Sequence, residues 1–161
     1  MAEQFLAKGP EDLAPREVLL SMPGLDYMQA ILEGRLPVAP IWGIMNFRLH
    51  GVEPGRIVLR GTPGFNHANP MGAVHGGWYG TLLDTVMACA VMTTVPKGSW
   101  YTTLEYKVNI TRPVPLGTEV EAEGLVQHAG RTTGVSQGIV RGVEDGRTYA
   151  TGSTTCIIMK G

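Results

Sequence analysis

Asn69-Pro-Met-Gly-Ala-Val-His75-Gly-Gly-Trp-Tyr-Gly-Thr-Leu-Leu-Asp84 decides how the rest of the chain folds. Beyond its glycine pair, Trp78, Tyr79, Leu82, Leu83 and the run Val86 to Met92 leave almost no polar face, and a helix of that kind has to be buried on all sides. Its expected span is about Gly76 to Thr94, ending ahead of Pro96-Lys-Gly98. Asp84 is the one charge in it. An unpaired carboxylate is costly to bury, so this acid is expected either to be satisfied by hydrogen bonds or to be kept for chemistry.

On both sides of the helix the chain turns to β patterning. Gly43 to His50 and Arg56 to Thr62 alternate apolar and polar residues around Glu53-Pro-Gly55, which predicts a hairpin followed by a loop over Pro63 to Gly72. After the helix, Tyr101 to Arg112, Thr118 to Ala129, Arg131 to Glu144 and Arg147 to Met159 read as long strands. They are separated by Pro113-Val-Pro-Leu-Gly117, Gly130 and Asp145-Gly146, the last suiting a primed two-residue turn that needs positive φ. The order implies an α+β fold, a curved antiparallel sheet of about five to six strands wrapped around one long central helix. Residues 1–40 differ in texture, with two short helical patterns, Pro15 to Met22 and Leu25 to Glu33, split by Pro23-Gly24. They are expected to form a helical arm on a main domain over 41–161.

Composition excludes several function classes. With 161 residues, 43% hydrophobic and 17% charged, the chain reads as a soluble globular protein with a real core. Its 13 Lys and Arg are scattered and offset by 14 acids, so a nucleic-acid footprint is not expected. No apolar run of membrane-spanning length and no leader pattern is seen, which makes the cytoplasm the expected location. Cys89 and Cys156 are too few for a disulfide framework and read as reduced. His50, His67, His75 and His128 lack metal-ligand spacing, so no metal or other cofactor is expected.

Gly76 and Gly77 carry the first chemical signal. The first amides of a helix have no intrahelical partner, the dipole there favours negative charge, and glycine lets a ligand approach the backbone. Such amides can polarise a carbonyl as an oxyanion hole. Equally, a Gly pair can serve only to turn the chain into the helix. For Asp84 the plain reading is a structural acid bonded to a nearby hydroxyl such as Thr81 or Thr85. Asn69 before a proline suits a turn, a lone His75 suits a structural hydrogen bond, and Thr103 suits any strand.

An asparagine six residues before His75-Gly76-Gly77, an acid nine residues after the histidine, and the strands Tyr101-Thr-Thr-Leu-Glu-Tyr-Lys-Val-Asn-Ile with Arg112-Pro113 and His128-Ala-Gly-Arg131 together make a pattern. Over about residues 40 to 159 it resembles the hotdog-fold acyl-CoA thioesterases, in particular their PaaI-like, phenylacetate-pathway branch in the 4-hydroxybenzoyl-CoA thioesterase superfamily. The resemblance implies hydrolysis of aryl-acetyl or medium-chain acyl-CoA by a homodimer or dimer of dimers. In it Asp84 is base or nucleophile and faces Gly76, the oxyanion donor, of the other subunit. Asn69 positions water or carbonyl, His75 orients the helix start, and Thr103 touches the acid or the water. Gly77 and Trp78 would contact substrate, and Lys97, Arg112 and Arg131 would meet the coenzyme phosphates. Trp42, Met45, Tyr79 and Leu83 are further candidates for the acyl pocket. Hotdog hydratases carry an Asp and a His in one helix, whereas after Asp84 no His occurs until His128. A non-catalytic acyl-CoA or acyl-carrier binding module and a purely structural oligomer are the competing classes.

Overall fold

The computed structural model describes residues 4–161. Three short helices, α1 (Arg16–Leu20), α2 (Gly24–Leu32) and α3 (Pro40–Ile44), precede the hairpin β1 (Phe47–Glu53) and β2 (Arg56–Gly61). The long helix α4 (Gly76–Met92) follows, then β3 (Ser99–Ile110), β4 (Val120–Ala129), β5 (Thr133–Gly142) and β6 (Thr148–Lys160). All six strands form one antiparallel sheet in the order β1-β2-β4-β5-β6-β3, with α4 packed on its inner face. The α+β hotdog architecture expected from the sequence is therefore the one observed.

Close seating of α4 depends on a row of glycines. Gly124, Gly138 and Gly152 lie opposite one another across β4, β5 and β6. A Cβ at Gly124 would collide with the Val86 carbonyl oxygen, and one at Gly138 would lie 2.8 Å from both Leu83 and Met87 side-chain atoms. The row is thus a trough that admits the helix backbone, which period-2 patterning alone does not reveal. Two side chains pin the helix there. The buried Ser136 hydroxyl donates to the Met87 carbonyl at 2.8 Å, and the Tyr79 hydroxyl accepts from the Val114 amide at 2.8 Å. Leu82, Leu83, Val86 and Met87 are fully buried. Met28 and Ile31 of α2 join the same core, so the arm packs on α4 and β1.

Two local expectations are corrected. The strand expected from Gly43 starts at Phe47, because Pro40 opens a helical turn and Asn46 closes it at φ 56°. Asp145-Gly146 is not a primed two-residue turn: β5 ends at Gly142 and β6 begins at Thr148, and only Gly146 has positive φ, at 64°. The Asp145 carboxylate instead accepts from the Arg147 amide at 3.0 Å and the Tyr149 hydroxyl at 2.8 Å, so a side chain shapes the longer loop. Among the described residues, no helix is long and apolar enough to cross a membrane.

Candidate active site

One stripe of α4 escapes full burial. Gly76 and Gly77 are exposed, and Thr81, Asp84 and Thr85 are half-buried, a spacing that puts them on one helical face. The Thr81 and Thr85 hydroxyls donate back along the helix, to the Gly77 and Thr81 carbonyls at 2.8 and 2.7 Å. They leave Asp84 to a partner from another element. Thr103 of β3 donates to it at 3.0 Å. Burial pushes the Asp84 carboxyl above its ordinary value, and the Thr103 hydrogen bond pulls it partly back.

A β-bulge directly follows this contact. Thr103 pairs with Cys156 and Glu105 with Thr155, so Leu104 is an extra residue in β3. The bulge shifts the alternation by one, so that Thr103 and Tyr106 both face α4. Tyr106 consequently lies against Gly80, where a Cβ would be 3.4 Å from its hydroxyl. Two residues before Thr103, on the same face, Tyr101 lies beside the Cys89 thiol. Burial pushes that thiol up to about 12 and makes it a poor nucleophile.

Asp84 and Thr103 line a cavity of about 510 Å3. Its floor on α4 is Asp84, Thr85, Ala88, Cys89 and Met92, running away from Gly76, and Tyr101 and Thr102 of β3 make one wall. The roof comes from residues 13–42. Of the side chains expected in an acyl pocket, Trp42 lines this cavity. Trp78, Tyr79 and Leu83 are buried in the core, pointing toward the sheet, and the Trp78 indole donates to the Met45 carbonyl at 2.9 Å. Trp78 and Met45 border a separate cavity of about 610 Å3 beside His67, His75 and Gly77.

The helix start forms a second cluster. His75 caps α4, its Nδ1 accepting from the Gly77 amide at 2.9 Å, so a neutral ring carries its proton on Nε2. Among the described residues, no acceptor is found for the Gly76 amide. The Asn69 Oδ1 accepts from the Met71 and Ala73 amides at 2.9 and 3.1 Å and holds the 69–73 loop that delivers the chain to the cap. Eight residues of helix, a rise of about 12 Å, separate Gly76 from Asp84 within one chain.

The three cations do not gather. Lys97 and Arg131 are exposed near the start of β3, since Thr133 pairs with Ile157 and Trp100 with Met159, while Arg112 follows the far end of β3 beside Asp145. A strand of 12 residues, on the order of 36 Å, lies between the two ends. Sequence reading did not find Tyr101, Ala88, Cys89 and Met92, although period 2 from Thr103 and period 3.6 from Asp84 point to them. No local signal brings the arm over the same cavity. Among the described residues, no three His, Cys, Asp or Glu side chains converge.

Comparison with known proteins places this geometry. Residues 71–149, from the loop before α4 into β6, match the model of the Thioesterase superfamily. A Caenorhabditis elegans protein that carries an esterase name, F42H10.6, is 32% identical over 104 residues, 65% of this chain; the match spans 61% of that relative's length. The crystal structure of a phenylacetic acid degradation-related protein from Ralstonia eutropha JMP134 is similar with a TM-score of 0.74 and 27% identity, covering 81% of this chain and 98% of that one. The protein smu.793 from Streptococcus mutans UA159, solved bound to acetyl CoA, shares the fold at a TM-score of 0.65 and 24% identity, over 71% of this chain and 90% of that one. With its six-stranded sheet wrapped on α4, the chain has the hotdog fold, and over α4 and the strands that follow it is similar to the Thioesterase superfamily.

Proposed function

We propose that this protein hydrolyses acyl-CoA thioesters, with an aryl-acetyl or medium-chain acyl group, to the free acid and coenzyme A. One observation carries the reading. Among the described residues, the carboxylate of Asp84 is the one charge bordering its cavity, held by a single hydroxyl and raised in pKa by burial. An acid raised in this way is a better proton acceptor when ionised than an ordinary carboxylate.

The second requirement is a donor for the carbonyl oxygen, and the Gly76 amide suits it better than Gly77, whose N–H is taken by His75. A rise of about 12 Å keeps Gly76 and Asp84 of one chain from one carbonyl. Two α4 helices antiparallel across a two-fold axis would bring Asp84 of one protomer to Gly76 of its partner. The homodimer, alone or doubled, is therefore part of the proposal. As base, Asp84 takes a proton from a water that attacks the carbonyl carbon and returns it to the coenzyme thiolate as the C–S bond breaks. As nucleophile, it attacks the carbon itself and expels the thiolate, which takes a proton from solvent, and water then cleaves the acyl anhydride to free acid and the Asp84 carboxylate. Thr103 keeps the carboxylate aimed, His75 and Asn69 shape the donor loop, and Gly77 sits beside the bound carbonyl. Arg112 on one side, and Lys97 with Arg131 on the other, are alternative anchors for the coenzyme phosphates. The acetyl CoA bound to the Streptococcus mutans protein supports coenzyme A as the carrier. Two free buried thiols fit a cytoplasmic setting.

The test is thiol release from an acyl-CoA panel. Wild type is expected to turn over, and Asp84→Asn to lose at least about tenfold in kcat while remaining folded. Equal turnover by the variant removes Asp84 from the chemistry. Binding of acyl-CoA without any cleavage would favour the non-catalytic binding module.

A further inference from the structure

The cavity beside Asp84 is built in large part by chain outside the segment that matches the superfamily. From the arm come Leu13, Leu19, Tyr27, Met28, Ile31 and Trp42, spread over α1, α2, α3 and the chain before them. Facing them on α4, Ala88 and Met92 lie four and eight residues beyond Asp84, a trunk of about 12 Å along the helix axis. Among the described residues, no Lys, Arg or His lines the cavity, and the one charged side chain there is Asp84 itself. The polar atoms away from that end are few. Tyr101 and Cys89 lie side by side, and burial holds both neutral.

From this arrangement we infer that the arm is the selectivity element of the enzyme, and that it admits an uncharged, apolar acyl body while refusing one that ends in a carboxylate. The inference rests on the thioesterase reading for the identity of the ligand. A second carboxylate entering the trunk would lose its hydration with no cation to receive it, and would face Asp84 as a like charge. An apolar body instead covers Leu13, Leu19 and Tyr27 and removes apolar surface from water. Tyr27 is the natural gauge of what fits. It lines the roof from α2 and is half-buried, so replacing it leaves the core beneath α2 intact. Ala39 is exposed at its rim and lines the cavity too, so bulk added there narrows the space without displacing buried neighbours.

The experiment measures kcat/KM and, by calorimetry, equilibrium binding for butyryl-, octanoyl-, phenylacetyl- and succinyl-CoA. Wild type should prefer the uncharged thioesters, with succinyl-CoA at least a hundredfold below butyryl-CoA. Tyr27→Ala should move the octanoyl-to-butyryl ratio upward by at least fivefold and Ala39→Phe should move it downward. Tyr27→Arg should raise succinyl-CoA relative to butyryl-CoA by at least tenfold. Variants that lower all four substrates alike, or a wild type indifferent to the terminal carboxylate, would overturn the inference. Binding that follows this pattern with no hydrolysis of any thioester would sustain the arm's role and defeat the hydrolase reading alone. Hydrolysis with ratios unmoved by all three variants would do the reverse.

Discussion

Asp84 is expensive where it stands, and its cost has a sign that can be measured. Burial raises its folded pKa above the unfolded value, more than the Thr103 hydrogen bond lowers it. A carboxyl shifted upward contributes stability that is full below its unfolded pKa and is lost as pH rises through the folded one. Above that folded pKa the native state therefore carries a desolvated charge that the unfolded chain hydrates freely. Asn keeps an oxygen to accept from Thr103 and removes the charge. Asp84→Asn should raise Tm at about pH 8. The gain should shrink to nothing at about pH 3, where both forms are neutral. Calorimetric melts across that range check it, and a variant less stable than wild type at high pH would contradict the assigned shift. The acid itself was legible because a charge inside an apolar helix stands out in sequence. Its partner was less so: Thr81 and Thr85 were nearer along the chain, yet helix carbonyls take their hydroxyls. Thr103 comes instead from β3, and only the packing of that strand on α4 brings it into reach.

At the scale of elements, period 3.6 in α4 and period 2 in the strands were strong enough to read, and the observed bounds fall within a few residues of the expected ones. What patterning misses is how closely the layers approach. Gly124, Gly138 and Gly152 look in sequence like weaknesses in three strands, and only their register across the sheet makes them one trough for α4. A methyl group at Gly124 would press on the Val86 carbonyl, a backbone atom that cannot swing aside. Gly124→Ala should therefore cost about 1–3 kcal/mol, the usual range for overpacking. Alanine at Gly64, where a Cβ meets nothing within 4 Å, should leave stability within about 0.5 kcal/mol. Urea denaturation of the two variants tests the trough directly. Similar midpoints would mean that the helix seat yields more easily than its contacts imply. The arm was the least legible element. Its helices could be expected from Pro23-Gly24 and the flanking pattern, but no local pattern carries α2 over a cavity whose floor lies some sixty residues downstream.

The whole molecule leaves one long edge of its sheet open. β3 is the terminal strand beside β6, 12 residues long, and on it Leu104, Tyr106 and Ile110 are 59%, 48% and 47% exposed. A long edge strand with apolar side chains invites pairing with another strand unless something protects it. Pairing with the same strand of a second copy closes on itself through a two-fold axis. Because β3 flanks α4, with Thr103 at Asp84, Tyr106 at Gly80 and Ile110 near Gly76, that pairing would also lay the half-buried stripe of one helix against its counterpart. The same contact would then assemble the sheet and complete the site. Leu104→Arg places two like charges near the axis without touching the buried core or the Asp84 cavity. The variant should elute as a monomer at micromolar concentration, keep a native far-ultraviolet spectrum, and lose at least about tenfold in turnover. A folded monomer with wild-type turnover would show that a single chain supplies both the acid and the carbonyl donor, and the cross-protomer assignment of Gly76 would have to be given up.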